Sequence, residues 1–272
     1  MAPWTRPAQA DTAIKAVSYN IAYGTAFTLE DKKYLKWLPW KKISLEAVFK
    51  KRTDLSSTDI LGVQEVCSND GGVLLSKTKN LISHNGPTYM HFAPDNPNGG
   101  GHCAEGQAIV SRFPMAATGS ILLPKIRSIQ MSAVWADLLV PGAASPKPLR
   151  VYNLHLDNRD SDLFAEDGRL TQIRAVLDHI KTFQETSPNT PVILLGDFNA
   201  LGHLVDPWDR EKAIVVTSYF MTPTLPKYHV THVLGYQLDW IFYTGLELER
   251  SKVAYIALSD HFPVVADFRM KD

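Results

Sequence analysis

Amide, carboxylate and imidazole side chains recur in this sequence at the ends of short apolar segments. The residues concerned are Asn20, Glu65, His155, Asp197, Asn199, Asp239, Asp260 and His261. Carboxylate and amide oxygens bind hard divalent cations, and imidazoles transfer protons near neutral pH. Because an unpaired buried charge is costly, carboxylates at the ends of core strands indicate a shared polar site at one edge of the sheets.

Each of these motifs also has an ordinary structural interpretation. The segment GDFN at 196–199 could be a turn, since Gly, Asp and Asn are common turn residues. Glu65 could lie on the surface, His155 could be a hydrogen-bonded core histidine, and SDH at 259–261 could cap a strand. The joint occurrence of the motifs is what favours a functional site.

The segments that must position these side chains are short and rich in Val, Ile, Leu and Tyr, which is typical of strands. The sequence predicts strands at 14–22, 59–66, 107–113, 132–140, 149–156, 191–196, 238–243 and 263–268. Apolar residues at helical spacing predict a helix over 167–183, and weaker patterns predict helices over 43–51 and 72–83. We therefore predict an α/β fold, a four-layer α/β sandwich of two packed, mostly antiparallel mixed β-sheets flanked by helices.

Length and charge limit the classes of protein. The 272 residues include 28 basic and 28 acidic ones, so the zero net charge argues against a non-specific nucleic-acid coat. No repeat or long linker divides the chain, and we expect an N-terminal extension at 1–13 followed by a single catalytic domain at 14–272. No apolar run approaches the roughly 20 residues that span a bilayer. No export signal is visible, so the chain is either cytoplasmic or exported with its leader removed; we favour export slightly and expect a monomer.

In this order the motifs resemble the endonuclease/exonuclease/phosphatase superfamily, whose branches include deoxyribonuclease I, apurinic-site endonucleases, neutral sphingomyelinases and inositol polyphosphate 5-phosphatases. The matching segments are YNI at 19–21, QEV at 64–66, EGQAIVSRFP at 105–114, NLHL at 153–156, GDFNA at 196–200, LDWIF at 238–242 and SDHFPV at 259–264. They extend over nearly the whole chain. The resemblance implies the four-layer fold and a metal-dependent phosphoesterase.

The resemblance also implies which residues hold the metal and the phosphate. Glu65 would bind a Mg²⁺ ion, with Asn20 and Asp260 beside it, and Mn²⁺ or Ca²⁺ could replace Mg²⁺. Asp197 and Asn199 would hold the attacking water and the phosphate. Water would attack phosphorus directly, so no Ser or Cys nucleophile is implied.

Two histidine–carboxylate pairs would complete the site. His261 would exchange a proton or bind a phosphate oxygen, with Asp239 fixing its tautomer. His155 would be the second histidine, with Glu105 as its carboxylate partner. The sequence leaves open which histidine acts as the base.

The resemblance implies a phosphate-ester substrate, and several of its classes are open. NLHL favours the deoxyribonuclease-like and sphingomyelinase-like branches over the apurinic-site enzymes. Basic and aromatic residues interleave over 32–52, where they could bind nucleic acid or an anionic lipid surface, or form a solvated helix face. We predict a phosphodiesterase of the nuclease type, with a phospholipid or sphingomyelin phosphodiesterase as the alternative. A catalytically inactive binding module is disfavoured because all the core site residues are present.

Several residues outside this set could also contribute. The two cysteines, Cys67 and Cys103, lack the spacing of a zinc site, and we hypothesise that they approach bridging distance. Loop histidines that could line the cleft are left unassigned, namely His102, His203, His229 and His232.

Overall fold

Strands alternate with short connections along most of the chain. The computed structural model describes residues 11–22, 45–68, 73–82, 86–95, 104–126, 130–142, 144–158, 168–200, 215–216, 218–225, 228–256 and 258–271. The strands are β1 (Thr12–Asn20), β2 (Ile60–Cys67), β3 (Tyr89–Pro94), β4 (Glu105–Ser111), β5 (Met115–Leu122), β6 (Ser132–Val140), β7 (Lys147–His155), β8 (Val192–Asp197), β9 (Thr222–Pro223), β10 (Asp239–Thr244), β11 (Glu247–Val253) and β12 (Val264–Met270). The helices are α1 (Leu45–Lys51), α2 (Val73–Lys79) and α3 (Gly168–Thr186).

These strands form two six-stranded sheets. The first sheet has the order β11-β12-β1-β2-β4-β3, and the second has the order β5-β6-β7-β8-β10-β9. In the first sheet β1 and β2 are parallel, and in the second β7 and β8 are parallel, whereas the other pairs are antiparallel. Both sheets are therefore mixed and mostly antiparallel, as predicted.

The sheets pack face to face over an apolar core. Aliphatic side chains from both sheets meet in one buried cluster, to which Ile14, Ile60 and Ile109 contribute from the first sheet and Val151 and Ile193 from the second. Every residue of β8 is buried, and the unbroken apolar run at 192–195 predicts this for the first four of them.

Helices cover the outer faces of the two sheets. Leu170, Ile173 and Leu177 of α3 pack with the outward-facing residues of the second sheet. Leu45 and Phe49 of α1 pack in the same way on the first sheet. Helix, sheet, sheet and helix make up the four layers predicted. Among the described helices, none is long and apolar enough to cross a membrane.

All eight predicted strands and all three predicted helices are present, with ends that differ by a few residues. The sequence did not predict β3, β5, β9 and β11. These four strands are the edges of the two sheets.

Candidate active site

Strand register brings the predicted side chains to one edge of the sandwich. The parallel pairing of β7 with β8 sets His155 opposite Asp197, and the antiparallel pairing of β8 with β10 sets Asp239 opposite the same residue. In the first sheet the parallel pairing of β1 with β2 sets Asn20 opposite Gln64. The ends of β1, β2, β7 and β8 and the start of β10 therefore lie together.

A β-bulge points Glu65 into this site. The register between β2 and β4 shifts between Val63 and Val66, and Glu65 has a φ of 57°. A positive φ is strained for a residue other than glycine, and such strain is concentrated at functional sites. Beyond the bulge the pairing resumes with Val66 opposite Gly106 and continues with Cys67 opposite Glu105, and the Glu105 carboxylate lies at the same edge.

The segment GDFN turns sharply as β8 ends. Gly196 has a φ of 149°, and a Cβ there would lie 2.1 Å from the backbone oxygen of Leu154, so only glycine fits. Asn199 adopts a φ of 46°, and its backbone N–H donates to Asp197 Oδ1 at 2.8 Å. Asparagine tolerates this left-handed conformation, and the bond fixes the Asp197 carboxylate.

Asp197 is the centre of the site. Its Oδ2 accepts a hydrogen bond from Asn20 Nδ2 at 3.0 Å, and it lies 3.6 Å from His261 Nε2 and 3.7 Å from His155 Nε2. Both imidazoles therefore converge on one buried carboxylate oxygen.

His261 is paired with Asp239 as predicted. Its Nδ1 lies 2.9 Å from Asp239 Oδ2, which leaves Nε2 directed at Asp197. Burial alone would lower the pKa of His261, but the charges of Asp239, Asp197 and Asp260 raise it to about 10.

His155 lies in a similar environment on the other side of Asp197. Its Nε2 is 2.9 Å from Asn199 Nδ2, which also donates to the Leu156 carbonyl at 2.9 Å. Burial opposes the charged form, yet the nearby carboxylates, Asp197 foremost among them, raise the pKa of His155. The Glu105 carboxylate is one of these, after Asp197, Glu65 and Asp95.

The site residues form groups whose chemistry fits a divalent cation. Candidate ligand atoms lie within 4.8 Å of one another in three described groups: Glu65, Glu105 and His155; His232, Asp260 and His261; and Asp197, Asp239 and His261. These donors are mainly carboxylate oxygens, which suit Mg²⁺ and Mn²⁺. Glu65 and Asp260, the two predicted carboxylate ligands, fall in different groups.

Asn20 connects two of the carboxylates. Its Nδ2 donates to Glu65 Oε1 and to Asp197 Oδ2, each at 3.0 Å. Its Oδ1 accepts the backbone N–H of Ala22 at 3.0 Å, which fixes the orientation of the amide. In this orientation Asn20 holds the carboxylates in place with its NH₂ group.

Two residues near the site were not assigned from the sequence. His232 packs against His261, with ring centroids 4.7 Å apart. Asp95, at the end of β3, is buried close enough to interact electrostatically with His155. His232 was noted only as a loop histidine, and no local motif marks Asp95, because long-range pairing brings both to the site.

Some polar residues near the strand ends point away from the site. Gln64 and Asn153 contact each other between the two sheets, and Asn153 donates to the backbone oxygens of Val63 and Ala108. Their role is therefore structural.

Of the two cysteines that we expect to approach bridging distance, the structure describes only Cys67. Cys67 is disulfide-bonded, in agreement with the hypothesis. Cys103 lies outside the described residues, as do His102, His203 and the basic residues at 32–44.

A comparison with known proteins identifies the family of this chain. A family model described as the Endonuclease/Exonuclease/phosphatase family matches residues 17–261. A UPF0294 protein from Vibrio cholerae is 28% identical over 162 residues, which are 57% of this chain and 51% of that protein. The chain thus spans about half the length of this curated relative.

Solved structures share the fold over nearly the whole chain. ANGEL2, a 2′,3′-cyclic phosphatase in complex with adenosine-2′,3′-vanadate, has a TM-score of 0.69 at 16% identity, with 98% of this chain and 100% of that chain covered. A mannosyl-6-phosphatase from Bacteroides thetaiotaomicron has a TM-score of 0.64 at 15% identity, with 94% and 99% covered. At these identities the likeness is one of fold.

Proposed function

Because the chain belongs to the endonuclease/exonuclease/phosphatase family, we propose that it is a divalent-metal-dependent phosphodiesterase that uses water as the nucleophile. One observation above all supports this proposal: the Nε2 atoms of His155 and His261 both lie within 3.7 Å of Asp197 Oδ2. Two imidazoles around a carboxylate can bind a phosphate and transfer protons during its hydrolysis.

Glu65 and Asp260 are the carboxylates that we assign to the cation, with Asn20 beside Glu65. When bound, the ion would neutralise the negative charge that develops on the phosphate. The bulge at Glu65 supports this assignment, because the carboxylate at the bulge lies in one group with Glu105 and His155.

Asp197 and Asn199 would orient the attacking water and the phosphate. Asp197 accepts hydrogen bonds on both oxygens, from the Asn199 backbone and from Asn20, so its carboxylate is fixed before substrate binds. A fixed acceptor lowers the entropy that must be lost when the water is aligned for in-line attack.

His261 and His155 would exchange protons with the reacting oxygens or donate to a non-bridging oxygen. The contact of Asp239 with His261 Nδ1 fixes the ring so that Nε2 faces the reaction. Glu105, in one group with His155 and Glu65, would support the second histidine.

A nucleic-acid phosphodiester is the first substrate class that we propose. A lipid phosphodiester is the second, because apolar side chains are exposed beside the site. Val233 and Leu234 are 55% and 69% exposed on a turn whose Val233 N–H donates to the Asp260 carbonyl at 2.8 Å. An exposed aliphatic pair tied to a site residue could contact a lipid surface.

A substrate panel with Mn²⁺ or with chelator distinguishes these candidates. It comprises bis-p-nitrophenyl phosphate, p-nitrophenyl phosphate, plasmid DNA, RNA, and vesicles of sphingomyelin or phosphatidylcholine. We expect metal-dependent hydrolysis of the diesters to exceed that of the monoester. Hydrolysis of the monoester alone, or of nothing in the panel, would contradict the proposal. Cleavage of vesicle lipid without cleavage of DNA or RNA would select the second class.

A further inference from the structure

His232 is brought to the site by contacts between two loops. It lies on a turn whose ends are joined by hydrogen bonds from Thr231 N and His232 N to the Tyr236 carbonyl, at 2.8 and 3.0 Å. An isolated β-bridge pairs His232 with His261, and Phe262 N donates to the Thr231 carbonyl at 2.7 Å. The turn is therefore anchored to the segment that carries Asp260 and His261.

The ring of His232 is fixed on two sides. It stands edge-on to the His261 ring at 4.7 Å between centroids, and it stacks on Tyr236 at 6.2 Å. Only 12% of its side chain is exposed. The ring therefore has little freedom to choose another orientation.

The hydrogen bonds define which ring nitrogen of His232 carries the proton. Its Nδ1 accepts the backbone N–H of Leu234 at 3.2 Å, so Nδ1 presents a lone pair. In the neutral ring the proton is then on Nε2. That Nε2 lies 3.8 Å from Asp260 Oδ2, longer than a hydrogen bond but short enough for a charge–dipole contact.

This tautomer argues against His232 as a metal ligand. A metal at Nε2 would need the lone pair there, and the proton on Nδ1 would then face the Leu234 N–H. The outward ring nitrogen is instead a donor directed at a carboxylate.

Asp260 is held from both sides by neighbouring groups. Ser259 Oγ lies 3.1 Å from Asp260 Oδ1, and His232 faces Oδ2. This carboxylate is half exposed, so without these two partners its side chain would be free to rotate.

We propose that His232 is a positioning residue that orients the Asp260 carboxylate for the divalent cation. This inference rests on the proposed function, in which Asp260 is a ligand. Polar groups that contact a metal-ligating side chain from outside the ligand set fix its orientation, and their loss typically weakens metal binding by about 10- to 100-fold.

The test compares Mn²⁺ binding, measured by calorimetric titration without substrate, in His232→Phe and His232→Gln. The Phe variant keeps the ring packing against His261 and Tyr236 but lacks the donor. The Gln variant carries an N–H donor at the corresponding distance from the backbone. We expect about a tenfold weaker Kd for the Phe variant and a Kd within about threefold of the original for the Gln variant.

A double-mutant cycle with Asp260→Asn separates an effect through Asp260 from a loss of folding. In the Asp260→Asn background, His232→Phe should change the Kd by less than about twofold, because the partner is already gone. Equal Kd values for the original protein and His232→Phe would overturn the inference while leaving the proposed function intact. An equal large loss in the Phe and Gln variants would overturn it in favour of direct ligation. A protein that binds no Mn²⁺ at all would overturn both.

Discussion

The buried carboxylate of Asp197 has three side-chain nitrogen atoms around its Oδ2 atom. Asn20, His155 and His261 supply these atoms. An isolated carboxylate in this position would be strongly destabilising, and the surrounding donors compensate its charge. The same charge raises the pKa of both imidazoles.

Loss of the His261 side chain should lower the turnover number markedly. We expect His261→Ala to lower kcat by about 10² or more, because general acid–base catalysis typically contributes this much. The measurement is the steady-state hydrolysis of bis-p-nitrophenyl phosphate with saturating Mn²⁺. Turnover near that of the original protein would show that His261 has no part in the chemistry.

His179 provides a matched control for this variant. It lies on α3 with its Nδ1 2.9 Å from the Tyr152 hydroxyl, on the outer side of the second sheet. His179→Ala should leave kcat within about twofold of the original value, since no reacting group is near.

At the scale of single residues, the sequence predicts which side chains meet but not how each is oriented. Chain order and motif identity place Asp197, His155 and His261 in one site, and in the structure these three side chains lie together. The orientation of Asn20, whose NH₂ faces two carboxylates, depends on its hydrogen bond from Ala22. His232 could not be assigned, because a β-bridge between distant loops puts it beside His261.

At the scale of elements, the strands that the sequence misses are the edges of both sheets. Residues 115–122 of β5 are mostly half-buried or exposed, and β11 is similar. An edge strand pairs on one side only and carries polar residues that discourage further pairing. Its pattern is therefore hard to distinguish from a loop, whereas a central strand such as β8 contains an unbroken apolar run, at 192–195.

Asp95 joins elements of the two sheets and should be important for stability. Its carboxylate accepts hydrogen bonds from Ser132 N at 2.6 Å, Ser132 Oγ at 3.0 Å and Gln107 Nε2 at 2.8 Å. Asp95→Ala leaves these buried donors unpaired, and we expect it to lower the free energy of unfolding by about 3 kcal/mol. In Asp95→Asn the amide oxygen still accepts the hydrogen bonds from Ser132. If the Gln107 amide group turns over, its oxygen can accept the new N–H, so we expect the free energy of unfolding to fall by less than about 1 kcal/mol. Urea denaturation measures both.

The contribution of Asp95 to the free energy of unfolding should fall as the pH rises. Burial raises the pKa of Asp95 to about 6, against the opposing effects of His155 and Ser132. Since the unfolded pKa is about 3.9, the folded state holds an extra proton between these values, and this contribution to stability falls as the pH rises through 6. The stability of the original protein relative to Asp95→Asn should fall by about 2 to 3 kcal/mol from pH 4 to pH 7. A difference that does not change with pH would contradict this origin of the shift.

At the scale of the whole molecule, two sheets must pack closely for the site to exist. The ends of β1 and β2 in the first sheet supply Asn20 and Glu65, and the second sheet supplies His155, Asp197 and Asp239. Gly62 lies at a close approach of the two sheets, since a Cβ there would be 1.8 Å from Leu195 Cδ1. Neither sheet alone contains the candidate site, so its side chains are brought together only when the sandwich forms.

The zero net charge of the chain is compatible with action on phosphate. The acidic residues of the site are concentrated at one edge of the sandwich, where a bound cation would offset them. The charge of the whole molecule therefore does not determine the local field that a phosphate meets.

The most direct test of the central claim is the rate of bis-p-nitrophenyl phosphate hydrolysis with Mn²⁺ and with EDTA, for the original protein and for Glu65→Gln. We expect EDTA to abolish hydrolysis and added Mn²⁺ to restore it. We also expect the hydrolysis rate of Glu65→Gln to be at least about 10²-fold lower than that of the original protein, at the Mn²⁺ concentration that saturates the original protein. The reason is that the variant lacks the carboxylate that we assign to the cation. Hydrolysis that is equally fast in EDTA, or unchanged in Glu65→Gln, would contradict a metal-dependent phosphodiesterase built on this site.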